Sequence, residues 1–193
     1  MRRYIVSVIT TVDGYFEGPG RDVMAMPFDD GFSRYNATLL REAAAVVHGS
    51  RWYDGGAYWT QVADDEQQPD IEREIGRLNA PLQRLVISDS LQPDPSWPWA
   101  DRTRIVPVTD GPAEVARLKE GDGGTIVSFG SATTWNPLLE AGLVDELHVL
   151  VGPALLGDGT PLYRGGRRPL RLLEADRLED SQLVRLRYDA TGG

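Results

Sequence analysis

Short apolar segments rich in β-branched residues recur along the chain, and amphipathic stretches separate most of them. The apolar segments span 4–9, 44–47, 84–87, 103–108, 125–129 and 147–151, and a last one spans 183–188. The amphipathic stretches span 32–43, 71–78, 113–120 and 133–141. Nearly continuous apolar strands are typical of sheets that are buried on both faces. Their alternation with helices predicts an α/β fold, with a mainly parallel central sheet and helices on both of its faces.

The pattern changes after Gly142. The apolar segment 144–151 is followed by a Gly/Pro-rich region, 152–169, and then by 183–188, with no convincing helix between them. Two strands without an intervening helix favour an antiparallel pair, so the sheet is expected to be mixed at its C-terminal end. The Gly/Pro tracts are short enough to be loops within one domain, and we expect residues 1–193 to form a single domain.

Composition argues against several classes of partner. The chain carries 20 basic and 29 acidic residues, a net charge of −9, so nucleic acids and anionic membranes are unfavourable partners. It has no cysteine and two histidines, which excludes cysteine-ligated metals and disfavours a histidine metal site, so no metal is expected. No apolar run reaches the roughly 18 residues of a membrane span. Residues 1–12 are too polar for a signal peptide, and we expect a cytoplasmic protein.

In doubly wound sheets, ligands commonly bind beyond the carboxyl ends of the strands. Gly130-Ser131 joins a predicted strand to a predicted helix, where free backbone N–H groups favour a phosphate, although an ordinary helix cap has the same sequence. Gly49 allows close approach of a ligand and Arg51 could clamp a phosphate, or Arg51 could form a surface ion pair. Asp13 begins an Asp-Gly turn and could also orient a substrate amide.

For other polar and aromatic residues, a structural role is expected or remains an alternative to a functional one. His48 and His148 lie in or at the end of apolar strands and are expected to be hydrogen-bonded structural residues. A group of aromatic residues could be core or could form the wall of a pocket for a flat heterocycle: Trp52, Tyr53, Tyr58 and Trp59. The sequence has no G-x-G-x-x-G after a strand, no G-x-S-x-G and no G-x-x-x-x-G-K-[ST], which disfavours the common Rossmann, hydrolase and P-loop folds.

Four ordered motifs cover nearly the whole chain: SVITTVDGYFEGPG, VVHGSRWYDGGAYW, LVISDSL and IVSFGSATTWNPLLEAGLVDELHVLVGPALLGDGTPLY. Together they resemble the dihydrofolate reductase-like superfamily, and within it the bacterial proteins related to the reductase domain of the bifunctional riboflavin-biosynthesis deaminase–reductase. The resemblance implies a dihydrofolate reductase-like sheet, a homodimer, and an NAD(P)H-dependent reductase acting on a small heterocyclic or carbonyl substrate. NADPH is the implied cofactor, with NADH possible.

The resemblance also implies roles for particular residues. Gly49, Ser50 and Arg51 would meet the cofactor phosphates, and Ser88 would lie near the adenosine ribose. The pyrophosphate would be held by a second group: Gly130, Ser131, Ala132 and Thr133. Asp13 would face the substrate side of the nicotinamide and act in catalysis, and the loop 18–20 would correspond to a mobile flap.

The sequence departs from the family pattern in three places. Ser50 replaces an arginine and Trp52 a threonine in the second turn, which weakens the expected phosphate clamp. Asp89 follows Ser88 where many relatives have a cation, so the choice between NADPH and NADH is open. No acidic residue of the first predicted helix matches the substrate carboxylate of dihydrofolate reductases. Two alternatives therefore remain: an inactive dinucleotide- or ligand-binding protein of this fold, and a dimeric regulatory protein that binds no dinucleotide.

Overall fold

The computed structural model describes residues 1–51 and 56–192. Its strands are β1 (Tyr4–Thr11), β2 (Tyr15–Glu17), β3 (Ala43–Gly49), β4 (Gln83–Ile87), β5 (Thr103–Val106), β6 (Thr125–Phe129), β7 (Glu146–Gly152), β8 (Thr160–Pro161), β9 (Arg171–Arg177) and β10 (Val184–Asp189). Its helices are α1 (Asp30–Arg41), α2 (Gly56–Val62), α3 (Asp70–Asn79), α4 (Gly111–Glu120) and α5 (Ala132–Glu140).

Eight strands form one sheet in the order β5-β4-β3-β6-β1-β7-β10-β9. The neighbours from β5 to β7 are parallel, whereas β10 pairs antiparallel with both β7 and β9. The predicted mixed α/β sheet with an antiparallel C-terminal pair is therefore confirmed. A short second sheet joins β2 to β8, and it places the segment after β1 against the loop that follows β7.

The central strand β1 is buried along its whole length because helices cover both faces of the sheet. On one face, Ile5 and Ile9 pack in a cluster that includes Tyr35 and Leu39 of α1. On the other face, the cluster around Val6 and Val8 includes Trp135 and Leu138 of α5 and Val115 of α4. Each fully buried aliphatic side chain contributes about 1.5 to 3 kcal/mol, so this two-sided burial explains the continuous apolar pattern of the strand.

Helix α1 is fixed at its first residue by a cap that reaches across the molecule. The Asp29 carboxylate accepts hydrogen bonds from the backbone N–H of Phe32 at 3.1 Å and from the hydroxyl of Ser181 at 2.7 Å. Gly31 packs so tightly against Ser181 that a Cβ at this position would lie 2.5 Å from the serine Cβ. These contacts hold α1 over β1 and set which of its side chains face the carboxyl end of the sheet.

Across the described residues, no helix is both long and apolar enough to cross a membrane.

Candidate functional site

Two cavities open at the edge of the sheet where the parallel strands end. The inner cavity, about 440 Å³, lies between α1 and the carboxyl halves of β1 and β6. The outer groove, about 340 Å³, lies beyond the ends of β3 and β4 and borders the first turns of α4 and α5. Arg51, Gly130 and Ser131 line the inner cavity, and their chain neighbours Ser50 and Thr133 line the outer groove. The two spaces therefore flank the same two loops.

The wall of the inner cavity is mainly aromatic and aliphatic. Its aromatic residues come from separate segments of the chain: Phe16, Phe28, Phe32, Trp59 and Phe129. Charged or amide-bearing residues are few among the described lining residues: Glu17, Arg21, Asn36, Arg51 and Asn79. An apolar wall with a small number of placed polar groups is the usual composition of a small-molecule site, and the volume lies in the usual range.

Two buried asparagines provide polar groups in the wall. The Ser7 hydroxyl donates to Asn36 Oδ1 at 2.9 Å, and among the described residues no acceptor takes the Asn36 amide hydrogens. Asn79 donates from Nδ2 to the carbonyl of Ile75 at 2.9 Å, while its Oδ1 receives no hydrogen bond from the described residues. The Asn36 amide hydrogens thus remain for a ligand in the cavity, whereas Asn79 Oδ1 is buried without a partner among the described residues.

Asp13 does not line either cavity. Its carboxylate accepts a hydrogen bond from the Thr11 hydroxyl at 2.6 Å and from the backbone N–H groups of Leu156 and Gly157 at 3.0 and 2.7 Å. The Thr11 and Gly157 bonds hold the pKa of this carboxyl below its usual value. Asp13 therefore joins the turn after β1 to the loop after β7. Its position does not support the predicted role of Asp13 in orienting a substrate.

The turn before α5 presents unused backbone donors. Gly130 has φ +65° and Ser131 has φ +56°, and this pair of left-handed residues turns the chain sharply between β6 and α5. The Ser131 side chain does not cap the helix, and among the described residues no acceptor takes the N–H groups of Ser131, Ala132 or Thr133. Three free N–H groups at a helix N-terminus suit an anion such as a pyrophosphate.

Gly49 brings the end of β3 against this same turn. A Cβ at Gly49 would lie 2.6 Å from Thr134 Oγ1 and 3.0 Å from Ser131 Oγ, distances too short for non-bonded atoms. The Ser131 and Thr134 hydroxyls are themselves hydrogen-bonded at 2.8 Å. Glycine is therefore needed at position 49 for the two loops to meet. The predicted Gly49 and 130–133 segments come together in the structure.

Arg51, which the sequence predicts as a phosphate clamp, lines the inner cavity. Its guanidinium donates from Nη2 to Oε1 of Glu17, which is almost fully buried at 3% exposure. The Arg51 side chain is 57% exposed, so the rest of its donor fork faces solvent. Glu17 is not among the predicted site residues, because an acidic residue in a Gly/Pro-rich turn has no signal that separates it from a solvated charge.

Ser88 and Asp89 line the outer groove, and both side chains also organise the loops there. The Ser88 hydroxyl accepts from the backbone N–H groups of Ser90 and Leu91 at 3.2 and 3.1 Å. Asp89 accepts from the N–H of Val108 at 2.9 Å, which ties the ends of β4 and β5 together. Asp89 therefore has a structural partner as well as a place in the groove.

Both histidines are buried, and His148 is hydrogen-bonded as predicted. The His148 ring bonds through Nδ1 to the Tyr35 hydroxyl at 2.8 Å and through Nε2 to Glu146 at 3.0 Å. His48 is 1% exposed, and burial together with the nearby Arg84 charge lowers its pKa to about 3. Of the predicted aromatic group, Trp52 and Tyr53 lie outside the described residues, Tyr58 is half exposed, and Trp59 lines the inner cavity.

Comparisons with known proteins agree with this architecture. Residues 2–184 match the family described as RibD C-terminal domain. The uncharacterized protein YyaP of Bacillus subtilis is 27% identical over 194 residues, covering 99% of this chain and 96% of YyaP.

Two solved structures share the fold at low identity. A pyrimidine reductase-like protein of Corynebacterium diphtheriae is 18% identical with a TM-score of 0.63, over 97% of this chain and 91% of that one. A diaminohydroxyphosphoribosylaminopyrimidine deaminase/5-amino-6-(5-phosphoribosylamino)uracil reductase of Thermotoga maritima is 12% identical with a TM-score of 0.62, over 97% of this chain and 56% of that one. The family match spans nearly the whole sequence. The chain belongs to the RibD C-terminal domain family.

Proposed function

We propose that the protein is an NAD(P)H-dependent reductase that acts on a small, flat heterocyclic or carbonyl compound. The observation that carries the proposal is the junction of the inner cavity and the outer groove at the 49–51 and 130–133 loops. The groove and its free N–H groups suit the nucleotide part of a dinucleotide, and the aromatic cavity suits two flat rings placed against each other.

The residues present fit such a cofactor. Ser131, Ala132 and Thr133 offer backbone N–H groups to the pyrophosphate, and Gly130 leaves the space beside its Cα open. Ser50 and Ser88 would contact the phosphate and ribose portions in the outer groove, and Arg51 would add charge-assisted hydrogen bonds. When bound, a reduced nicotinamide supplies the hydride.

The chain's own contribution would then be binding, orientation and exclusion of water. The Asn36 amide hydrogens would recognise a hydrogen-bond acceptor on a substrate ring. Phe16, Phe32 and Phe129 would exclude water from the reacting atoms and hold the two rings in contact.

A binding titration tests the proposal. We expect purified protein to bind NADPH or NADH with micromolar affinity, measured by nicotinamide fluorescence at low and moderate salt. The variants Arg51→Ala and Gly130→Val should each weaken binding by about ten- to a hundredfold, because each removes or blocks a phosphate contact.

Two matched variants serve as controls. Arg167→Ala removes an exposed arginine that lines neither cavity, and Gly123→Val places a valine at another left-handed glycine, φ +67°, with open space around it. Both should bind the dinucleotide as the wild type does. If neither nucleotide binds the wild-type protein, the reductase proposal is wrong.

A further inference from the structure

The outer groove carries one charged side chain along its described lining, and that side chain is acidic. Asp89 is exposed and lines the groove. The other described lining residues are glycines, serines, threonines, prolines and aliphatic residues. Along this lining, the groove therefore presents a negative charge and no cation to a bound anion.

Two arginines of adjoining segments are paired with carboxylates instead. Arg51 follows Ser50 in the chain but lines the inner cavity, where its guanidinium donates to Glu17. Arg104 of β5 donates to a carboxylate oxygen of Glu114 at 2.7 Å. Neither arginine lines the outer groove, so neither offsets the charge of its wall.

The start of α4 borders the groove but adds little to attract an anion. Two residues of its first turn, Gly111 and Pro112, line the groove. The N–H of Gly111 donates to the carbonyl of Val108, and Pro112 has no N–H to offer. Asp110 precedes the helix directly and is exposed, which adds a second acidic residue at this helix end. The α4 terminus therefore does not compensate the charge of Asp89.

Asp89 and its neighbour Ser88 offer an acceptor and a donor to a ligand. Asp89 Oδ1 accepts from the N–H of Val108 at 2.9 Å, and its Oδ2 has no partner among the described residues. The Ser88 hydroxyl accepts from two backbone N–H groups, so its hydrogen is left for the Ser90 hydroxyl at 3.4 Å or for a ligand. In dinucleotide sites, an acidic residue that bonds the ribose 2′-hydroxyl accompanies NAD, and an arginine accompanies NADP.

The charge of Asp89 acts on the whole groove without direct contact. The groove is small, about 340 Å³, and its width is comparable with the screening length of roughly 10 Å at 0.1 M salt. A phosphate in the groove is therefore repelled by Asp89 wherever it lies. NADPH differs from NADH by the 2′-phosphate on its adenosine ribose, whereas the 2′-hydroxyl of NADH has no charge.

We propose that the outer groove selects NADH over NADPH, and that Asp89 is the residue that sets this preference. This inference rests on the proposed reductase function, in which the groove holds the nucleotide part of the cofactor. Asp89 repels the additional phosphate of NADPH, and its free Oδ2 is available to a ribose hydroxyl. The preference is the reverse of the one that the family resemblance implies.

Equilibrium titrations of the wild type with NADH and with NADPH, followed by nicotinamide fluorescence, test the preference without any substrate. The titrations are made at about pH 8, where a phosphate monoester carries about two negative charges. We expect the dissociation constant for NADPH to exceed that for NADH by about five- to thirtyfold at about 0.05 M salt. The ratio should shrink at about 0.5 M salt, because screening weakens the repulsion.

Asp89→Asn removes the charge and keeps an oxygen that can accept from the N–H of Val108. The ratio of the two dissociation constants should fall to within about threefold of one, mainly through tighter binding of NADPH. Asp158→Asn is the matched control. Asp158 is also exposed, also accepts from a backbone N–H, that of Gly159, and lines neither cavity, so this variant should keep the wild-type ratio.

The two possible failures are distinguishable. Equal affinities, tighter binding of NADPH, or a preference for NADH that neither salt nor Asp89→Asn reduces overturns this inference alone. The salt series on the wild type keeps the test decisive if Asp89→Asn does not fold, because a preference that is independent of salt is not the repulsion described. Failure of both nucleotides to bind the wild type overturns the proposed function, and this inference with it.

Discussion

At the scale of single residues, two carboxylate side chains have different roles because their surroundings differ. Asp13 and Glu17 are four positions apart, yet the Asp13 carboxylate is bonded to loop N–H groups while that of Glu17 is buried beside a cation. The sequence suggested the first as the chemical group because it lies directly after a strand. The burial of Glu17 in the cavity wall follows from the tertiary structure, in which β2 pairs with β8, and no local sequence pattern predicts it.

Asp13→Ala should destabilise the protein and leave dinucleotide affinity nearly unchanged. The hydroxyl of Thr11 and the N–H of Gly157 bind the ionised form and lower the Asp13 pKa, so its stabilisation is present above the ordinary aspartate pKa of about 3.9. It is lost as the pH falls through the lower pKa of the folded state. Urea unfolding should therefore show a difference between variant and wild type at neutral pH that shrinks in acid. A difference independent of pH, or a large loss of NADPH affinity, would contradict this assignment.

Buried His48 predicts a second dependence of stability on pH. Its pKa is lowered because burial disfavours the charged ring, whereas the Asp13 pKa is lowered by hydrogen bonds to the charged carboxylate. Burial lowers the His48 pKa to about 3, so the unfolded chain binds more protons than the folded one between about 6.5 and about 3. Stability should therefore fall as the pH falls through that window, by up to about 1.4 kcal/mol per pH unit for this group. In NMR spectra, the His48 ring resonances should show no titration from about pH 8 to about pH 5. A midpoint near the ordinary value of about 6.5 would show that the ring is not buried as described.

At the scale of elements, the sequence predicted the parallel strands well because burial on both faces leaves a continuous apolar pattern. It missed β9, the edge strand at 171–177, because none of its seven residues is buried, five are exposed and four are charged. Those charges pair across the ladder: Arg185 bonds Asp176 at 2.9 Å and Arg187 bonds Glu174 at 2.7 Å. A strand stabilised by cross-strand ion pairs has no hydrophobic signature to read.

The sequence predicted the loop after β3 and the loop before α5 separately, but it did not predict the contact between them. Each loop has a glycine directly after a predicted strand. The contact between Gly49 and Thr134, however, depends on the parallel pairing of β3 with β6. Sequence reasoning lacks that long-range register. The resemblance supplied it for 49–51 and 130–133, and no local pattern supplied it for Asn36, Asn79 or Glu17.

Gly49→Ala should separate these two elements. The new Cβ would lie 2.6 Å from Thr134 Oγ1, and relieving that overlap should cost about 1 to 3 kcal/mol of unfolding free energy. The double variant Gly49→Ala/Thr134→Ala, which removes the opposing hydroxyl, should recover part of the loss, and a double-mutant cycle from chemical denaturation measures it. Costs that simply add would mean that the two residues do not touch.

At the scale of the whole molecule, the exposed end of the sheet is the surface on which we expect the homodimer to form. Leu172 and Leu173 of the edge strand β9 and Val184 of its neighbour β10 are 54%, 40% and 41% exposed. Leu172→Asp/Val184→Asp should convert a dimer to a monomer, measured by sedimentation equilibrium. Lys119, which is buried and bonded to Asp145 at 2.6 Å, belongs to the core and is no part of this surface. A wild-type protein that is monomeric at high concentration would contradict the expectation.

Our central proposal also concerns the whole molecule. We propose that a dinucleotide crosses the carboxyl edge of the sheet from the outer groove into the inner cavity. The most direct measurement is a crystal structure of the protein with NADP⁺ or NAD⁺. The account predicts the pyrophosphate within hydrogen-bond distance of the N–H groups of Ala132 and Thr133, and the nicotinamide among the aromatic residues of the inner cavity. A nucleotide bound elsewhere, or an inner cavity that stays without the ring at saturating nucleotide, would contradict it.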